Sequence, residues 1–346
     1  MAKVSQSDIA REARVSRNTV SLALRNSPRL PADTRERIQK IAREMGYQPD
    51  PALSRAMAAL VASRGEARET LALVYARSQA ELFRWPAFSL IRQGFLDRAA
   101  ELGFGVDEFD TAGDSALTKK RLWKILRSRS IRGVGLLGHW ATELSPDWQG
   151  LWENFALVSA SGIIHQPAIS HACADFFHAG YLALERVVQL GYRRPALIMQ
   201  QGFDRRQDYQ LSHGYLAAGW KYFDRHSVPL LMGEEDIGER DLQAFLEKQA
   251  PDCVITLPRE TWQWLENLGV KPGRDLGLVG LDYRHEEPRF AGVDLVNQLS
   301  GTACVDLIAG QLSRNEIGLP FMHKTVTSHP VFRDGPSLPP RDELRQ

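Results

Sequence analysis

The chain contains no run of eighteen apolar residues, which excludes a helix long enough to span a membrane. Its first residues, MAKVSQSDIAREARVSR, lack the apolar centre of a secretory signal, so a cytoplasmic protein is expected. Cysteine is scarce: Cys173, Cys253 and Cys304 stand 80 and 51 positions apart, a spacing that makes neither a zinc finger nor a disulfide framework. There is no GxSxG elbow and no P-loop, so two common layouts for a nucleophile and for phosphate binding are missing. Net charge is also small, at +1. What remains is ordinary globular composition, 43% hydrophobic and 25% charged, over 346 residues. That length exceeds one hydrophobic core and implies two or more domains.

The small net charge hides an uneven distribution. Residues 1–64 carry twelve basic and six acidic side chains, a net +6, and the remaining 282 carry −5. A basic head on a mildly acidic body points to an anionic partner for the head alone.

Local pattern gives that head three short helices. Ser5, followed three residues later by Asp8, resembles a capping box opening a helix that buries Ile9, Ala10 and Ala13. Arg14 and Val15 make a tight turn, and Ser16 is a strong cap for a second helix running through Leu24. A third helix, from Ala32 to Met45, has Ile38, Ile41, Ala42 and Met45 on one face and Gly46 at a left-handed stop. Pro31 stands where a hydroxyl cap is expected, so the start of this helix can differ by a residue. Two short helices braced by a third make a helix-turn-helix. The second helix exposes Arg17, Asn18 and Ser21 at its N-terminal end. Arginine can pair with guanine and asparagine with adenine, and a helix N-terminus receives phosphate. On pattern alone, a small helical bundle with solvated charges is the competing reading.

The segment SDIAREARVSRNTVSLALRNSPRLPADTRERIQKIAREMGYQP resembles the DNA-binding domain of the LacI/GalR family of bacterial repressors. The family's VSxxTVSxxLN core stands here as residues 15–26, and the TRERI and GYxP segments follow at the family's spacing, over about fifty residues without a gap. The resemblance adds Ser5, Ser16, Leu22, Arg25 and Arg29 to the DNA-contacting candidates. Leu22 departs from the arginine often found at its position; leucine can touch only apolar features such as a thymine methyl, so the operator need not follow the usual consensus. Residues 49–64, PDPALSRAMAALVASR, resemble the family's hinge helix, with Leu53, Met57 and Leu60 on one face. An ungapped match puts Ala56 where the family places a leucine wedge. The Pro49/Pro51 pair suggests a one-residue shift that makes Met57 the wedge, against the alternative of a plain linker.

From Thr70 onward, β-rich runs alternate with amphipathic stretches. Strands are expected at Leu71–Tyr75, Gly105–Phe109, Gly133–Leu137, Phe155–Ser159, Pro195–Met199, Cys253–Thr256 and Gly277–Gly280. Helices are expected at Phe88–Leu102, Leu117–Ser128, Gly180–Leu190 and Arg240–Lys248. Such alternation implies parallel sheets covered by helices, and this length implies two of them with a ligand cleft between. Two enzyme-like signals are weak. Gly133, Gly135 and Gly138 match GxGxxG, but the run reads as a strand rather than a strand-to-helix turn. His171, Cys173, Asp175 and His178 form HxCxDxxH, whose spacing fits neither a zinc-protease helix nor a structural zinc site.

The body resembles the same family's effector domain through YLALERVVQLGYRRPALIM, HGYLAAGW, PDCVITL, GRDLGLVGLD and VNQLSGTACVDLIAGQL. The whole chain is therefore expected to be an N-terminal all-α helix-turn-helix domain (1–48) and a hinge helix with linker (49–66), followed by an α/β periplasmic-binding-protein-like body (67–346) of two Rossmann-like lobes. Lobe one is expected at 67–164 and 292–324, and lobe two at 165–291 and 325–346, with crossings near 162–168, 288–294 and 322–328. By resemblance Asp282 and Gln298 face the ligand and Asp175 lies at the first crossing; Phe88 and Trp140 supply apolar walls. Two of the family's polar anchors are replaced, by Leu211 and Leu257, and Arg205 or Arg206 could restore a charge. A ligand less uniformly polar than a free hexose, or one carrying an anionic or aromatic group, is the consequence.

The expected function is a sequence-specific repressor. Its partners are an inverted-repeat double-stranded DNA operator, a small-molecule effector such as a sugar derivative, and a second copy of the chain; it acts at the nucleoid and not at a membrane. No catalytic residue, metal or cofactor is expected. The alternatives are a solute-binding protein of a transport system that shares the body fold, and an α/β enzyme with a fused DNA-binding head. Operator sequence, effector identity, and induction against corepression stay open at this stage.

Overall fold

The computed structural model describes residues 4–24, 30–47, 69–113, 116–223, 228–233 and 237–341. In the head, α1 (Gln6–Ala13) starts with a reciprocal cap: the Asp8 amide donates to Ser5 Oγ, and the Ser5 amide donates to the Asp8 carboxylate at 3.0 Å. Arg14 ends the helix in the left-handed region at φ 52°. Helix α2 (Arg17–Leu24) follows Ser16, whose Oγ accepts from the Thr19 amide at 3.0 Å. Helix α3 (Ala32–Glu44) begins after Pro31 without a side-chain cap. Ile9, Ala13, Val20, Ala23, Ile38 and Ala42 close the small core. Arg37 and Gln39, on α3, donate to the carbonyls of Ala13 and Ala23 and so tie α3 to the other two helices.

The body is two six-stranded sheets of the same order. In chain order lobe one comprises β1 (Thr70–Tyr75), α4 (Gln79–Leu82), α5 (Pro86–Glu101), β2 (Gly105–Asp110), α6 (Lys119–Ser128), β3 (Gly133–Leu137), α7 (Gln149–Asn154), β4 (Ala156–Ser159) and β5 (Ser170–Ala174). Lobe two follows with α8 (Phe176–Gln189), β6 (Pro195–Gln200), α9 (Gln201–Arg206), α10 (Gln210–Tyr222), β7 (Leu230–Gly233), α11 (Glu239–Gln249), β8 (Cys253–Thr256), α12 (Thr261–Asn267), β9 (Gly277–Gly280) and β10 (Ala291–Asp294). The chain then returns to lobe one for α13 (Asn297–Arg314) and β11 (Thr325–Ser328), and ends in lobe two with β12 (Val331–Arg333). The sheet orders are β11-β5-β4-β3-β1-β2 and β12-β10-β9-β8-β6-β7. Every pairing is parallel except β10 with β12.

The inner strands β1, β3, β4 and β8 are buried along most or all of their length, because helices cover both faces of each sheet. This is why those segments read as continuous apolar runs. Each lobe has one core on either side of its sheet. A close helix pair clasps each lobe. A Cβ on Gly301 of α13 would lie 1.9 Å from the Ile91 carbonyl oxygen on α5, and one on Gly214 of α10 would lie 1.8 Å from that of Phe177 on α8.

The sheets correct the lobe limits 164/165, 291/292 and 324/325 expected from the sequence. Strand β5 pairs with β4 and β11 in lobe one, so the first crossing falls between Ala174 and Phe176. The second lies between Asp294 and Asn297, and the third between Ser328 and Val331. Strands β5, β10 and β11 are short or lie toward a sheet edge, and their weak apolar signal hid where each lobe ends.

Candidate functional site

Two surfaces carry chemistry, one on the head and one between the lobes. Arg17 is exposed at the first position of α2, where a helix N-terminus and a guanidinium present themselves together. Ser16 Oγ already accepts from the Thr19 amide and shares a hydrogen bond with the Thr19 hydroxyl, 2.8 Å away. Ser5 is likewise held by Asp8, with 2.6 Å between hydroxyl and carboxylate. Both serines therefore position helices. Asn18, Ser21 and Leu22 lie on α2, but their side chains fall outside what the structure describes, and Arg25, Arg29, Leu53 and Met57 lie outside the described residues.

In the body, each sheet has strand order 2-1-3-4-5 at its core, counted within its own lobe, which places a topological switch point between the first and third strands. The crevice beyond the carboxyl ends of those strands is where open α/β sheets hold ligands. Arg77 follows β1 directly, Trp140 follows β3, and α9 follows β6 with Arg206 at its end. These three meet across the lobes. The Arg77 guanidinium carbon stands 4.0 Å from the Trp140 ring centre, and that of Arg206 stands 5.3 Å from it. Arg206 also lies 5.8 Å from Phe203, whose ring packs edge-on against Phe176. Arg77 pairs with Glu81 at 2.8 Å. Burial first, then the positive charges of Arg77 and Arg205, pull the Arg206 pKa below the ordinary guanidinium value. The group nevertheless remains a cation at any physiological pH.

Beside this cluster, His165 of lobe one and Asp208 of lobe two form a direct pair, with Nε2 2.9 Å from both carboxylate oxygens. The His165 amide is fixed by the Thr142 carbonyl at 2.7 Å. Asp208 and Tyr209 are consecutive residues in the left-handed region, at φ 53° and 58°. A bend of that kind is strained for side chains other than glycine, and here it delivers the carboxylate to the opposite lobe.

Of the six residues expected to face the effector, Trp140 and Arg206 are brought together. Phe88 is half-buried against the same lobe-one core as Trp140. Asp175 caps α8 by accepting from the His178 amide at 2.9 Å, while its own amide donates to the Ser328 carbonyl, so it joins two crossings. Asp282 binds Arg284 through Oδ2 at 3.0 and 3.1 Å, and its carbonyl accepts from Arg259. Gln298 reaches Asp97 on α5 at 3.4 Å. The side chains of Asp175, Asp282 and Gln298 are thus engaged with partners outside the Trp140 cluster. Leu211 is fully buried in the lobe-two core and Leu257 packs on the same core. Arg77 was missed, although its position one residue past the end of a strand-plus-Ala76 run was a readable signal under the switch-point rule.

The two enzyme-like signals resolve into packing. Gly135 lies within β3, and a Cβ there would meet the Phe95 ring at 2.5 Å. His171 faces Thr325, Cys173 is buried with its thiol pushed up to about 12 by desolvation, and the His178 ring lies 4.2 Å from that of His329, tilted by 30°.

Residues 6–50 match the family described as bacterial regulatory proteins, lacI family. Over 331 residues the chain is 26% identical to the HTH-type transcriptional regulator CelR of Thermobifida fusca, covering 88% of this chain and 91% of that one. Its fold is similar to that of the transcriptional regulator CelR–cellobiose complex, with a TM-score of 0.62 at 21% identity over 97% of this chain and all 100% of that one. It is also similar to the lac repressor dimer bound to operator and the anti-inducer ONPF, with a TM-score of 0.59 at 18% identity, covering 97% and 99% of the two chains. The relatives are transcriptional regulators rather than enzymes, and this chain is similar to them over both the head and the two-lobed body, with the lacI-family match itself falling on the head.

Proposed function

We propose that the chain is a homodimeric repressor whose operator affinity is set by a small molecule held between the two lobes. The observation that carries this reading is the convergence of Arg77, Trp140 and Arg206 from both lobes at facing switch points, in a chain whose head exposes Arg17 on a capped helix N-terminus. Residues 1–48 are the DNA-binding head, 49–66 the hinge, and the rest the effector-binding and dimerising body. The chain acts in the cytoplasm at the nucleoid.

The relatives lend support. One similar structure is a complex with cellobiose and another is a dimer on an operator, the two halves of the mechanism proposed here. An effector that contacts both lobes prefers one lobe arrangement, DNA prefers one as well, and the difference is the coupling between them. DNA contacts are assigned to Arg17, Asn18, Ser21, Leu22, Arg25 and Arg29, with Leu53 and Met57 at the hinge, and Ser5 and Ser16 positioning their helices.

Footprinting on sites selected from genomic DNA tests the reading. Two heads related by a two-fold axis protect inverted half-sites about one helical turn apart, and binding weakens steeply with salt as counterions are released. A footprint without inverted symmetry, or affinity indifferent to salt, overturns it.

A further inference from the structure

The cleft holds a guanidinium that none of its neighbouring carboxylates pairs with among the described residues. Arg77 has Glu81, and Asp208 is taken by His165. Asp204, two residues before Arg206, is fully buried; one carboxylate oxygen accepts from the Ser212 amide and the other has no hydrogen-bond partner, and no ion pair with Arg206 forms among the described residues. Arg205 adds a further cation beside Arg206. Among the described residues, Arg206 itself has neither an ion pair nor a hydrogen bond; it has only the faces or edges of Trp140 and Phe203.

A partly desolvated guanidinium normally keeps a carboxylate or carbonyl partner, because its donors lose water on burial. Aromatic contact offsets part of that loss and leaves the N–H groups unmatched. Next to it, Gln207 is buried with its Oε1 lacking a partner among the described residues. Meanwhile the buried Leu211 and half-buried Leu257 offer nothing polar, so the polar recognition shifts to the arginine side of the cleft.

We propose that the effector carries an anionic group, a phosphate or a carboxylate, seated against Arg206 and Arg77 beside the Trp140 ring. The proposal rests on reading this cleft as the effector site. Guanidinium groups bind such oxygens through paired, charge-assisted hydrogen bonds, and two of them arriving from opposite lobes make the anion a bridge that favours the closed arrangement.

The test uses the full-length chain at fixed ionic strength, with melting temperature and calorimetry as readouts. The probes are inorganic phosphate, glucose 6-phosphate, glucuronate and uncharged glucose. At least one anionic probe is expected to stabilise the wild type saturably and to bind ten times or more tightly than glucose. The phosphate and carboxylate arms separate the two anion types. Arg206→Gln is expected to lower anion affinity at least tenfold and Arg77→Gln by less, while Arg206→Lys, which keeps the charge, retains part of the binding. The inference is overturned if no anionic probe stabilises the wild type, if glucose binds equally well, or if Arg206→Gln binds anions as the wild type does. DNA binding is measured on the same preparations. A chain that recognises DNA but no anion refutes this inference alone, whereas one that binds an anion but no specific DNA refutes the regulator reading.

Discussion

His165 and Asp208 hold the two lobes together from opposite sides of the cleft, at 2.9 Å between Nε2 and each carboxylate oxygen. Both side chains are about half exposed, at 54% and 40%, so solvent screens the pair and its worth to global stability is small. Because it spans the two lobes, its effect is expected instead on how they hold together around a ligand. Asp208→Asn is expected to leave the melting temperature nearly unchanged and to weaken effector affinity about two- to fivefold, the range expected of an exposed pair. An unchanged affinity in the variant would show that the pair is incidental to closure.

Arg17→Ala tests base reading by the head. A guanidinium at the start of the recognition helix is well placed for a guanine edge. Its loss is expected to cost about 1–3 kcal/mol at a selected site and to relax preference at one base position. A uniform loss on all sequences, measured by anisotropy against randomised sites, would make Arg17 a phosphate contact only.

Much of the fold could be read beforehand, for identifiable reasons. Most of the seven strands expected in the body are inner ones, whose burial on both faces leaves short apolar runs; the exception is β2, an edge strand that is only partly buried. The head was legible through its caps, since Ser5, Ser16 and Gly46 each serve a local need that sequence alone reveals. The crossings were not legible. Edge strand β11 is largely exposed and β5 is marked only by small residues, so neither resembles a core strand. In the cleft, Trp140 and Arg206 were found by type and position, but their meeting depends on how two separately folded lobes face each other, which no local pattern encodes.

The hinge candidate Met57 lies outside the described residues and rests on sequence alone. If it wedges into the minor groove, unstacking a base step is worthwhile only once the head has fixed the register. Met57→Ala should then weaken binding to a selected site while leaving random DNA nearly unaffected. Equal loss on both, or a larger effect from Ala56→Gly, would assign the wedge elsewhere.

The glycine clasps predict where each lobe fails. Gly301→Ala drives a methyl to 1.9 Å from the Ile91 carbonyl oxygen, and Gly214→Ala to 1.8 Å from that of Phe177. In both cases the obstacle is backbone, so a helix must move. Overpacking of this kind costs about 1–3 kcal/mol or more, and chemical denaturation should register it in each variant separately. A wild-type midpoint in either would mean that the helix pair slides freely.

Acid sensitivity follows from two histidines held neutral. Burial, then the positive charges of Arg77 and Lys119, lower the His139 pKa from its usual 6.5 despite the opposing hydrogen bond that its ring makes to the Ala141 carbonyl. His171 is lowered likewise, by burial first and then by His323 and His165. Well above pH 6.5 these imidazoles are neutral in both folded and unfolded chains and contribute no pH dependence. Below it the unfolded chain takes up protons that the fold resists, so stability falls with pH until the lower folded-state value of each group is reached. The slope in that window is at most about 1.4 kcal/mol per pH unit for each histidine. Melting curves from pH 7.5 to 5 should therefore decline below 6.5, and His139→Asn combined with His171→Asn should flatten the decline, even if it lowers the plateau. A double variant that keeps the full acid slope would place the titration on other groups.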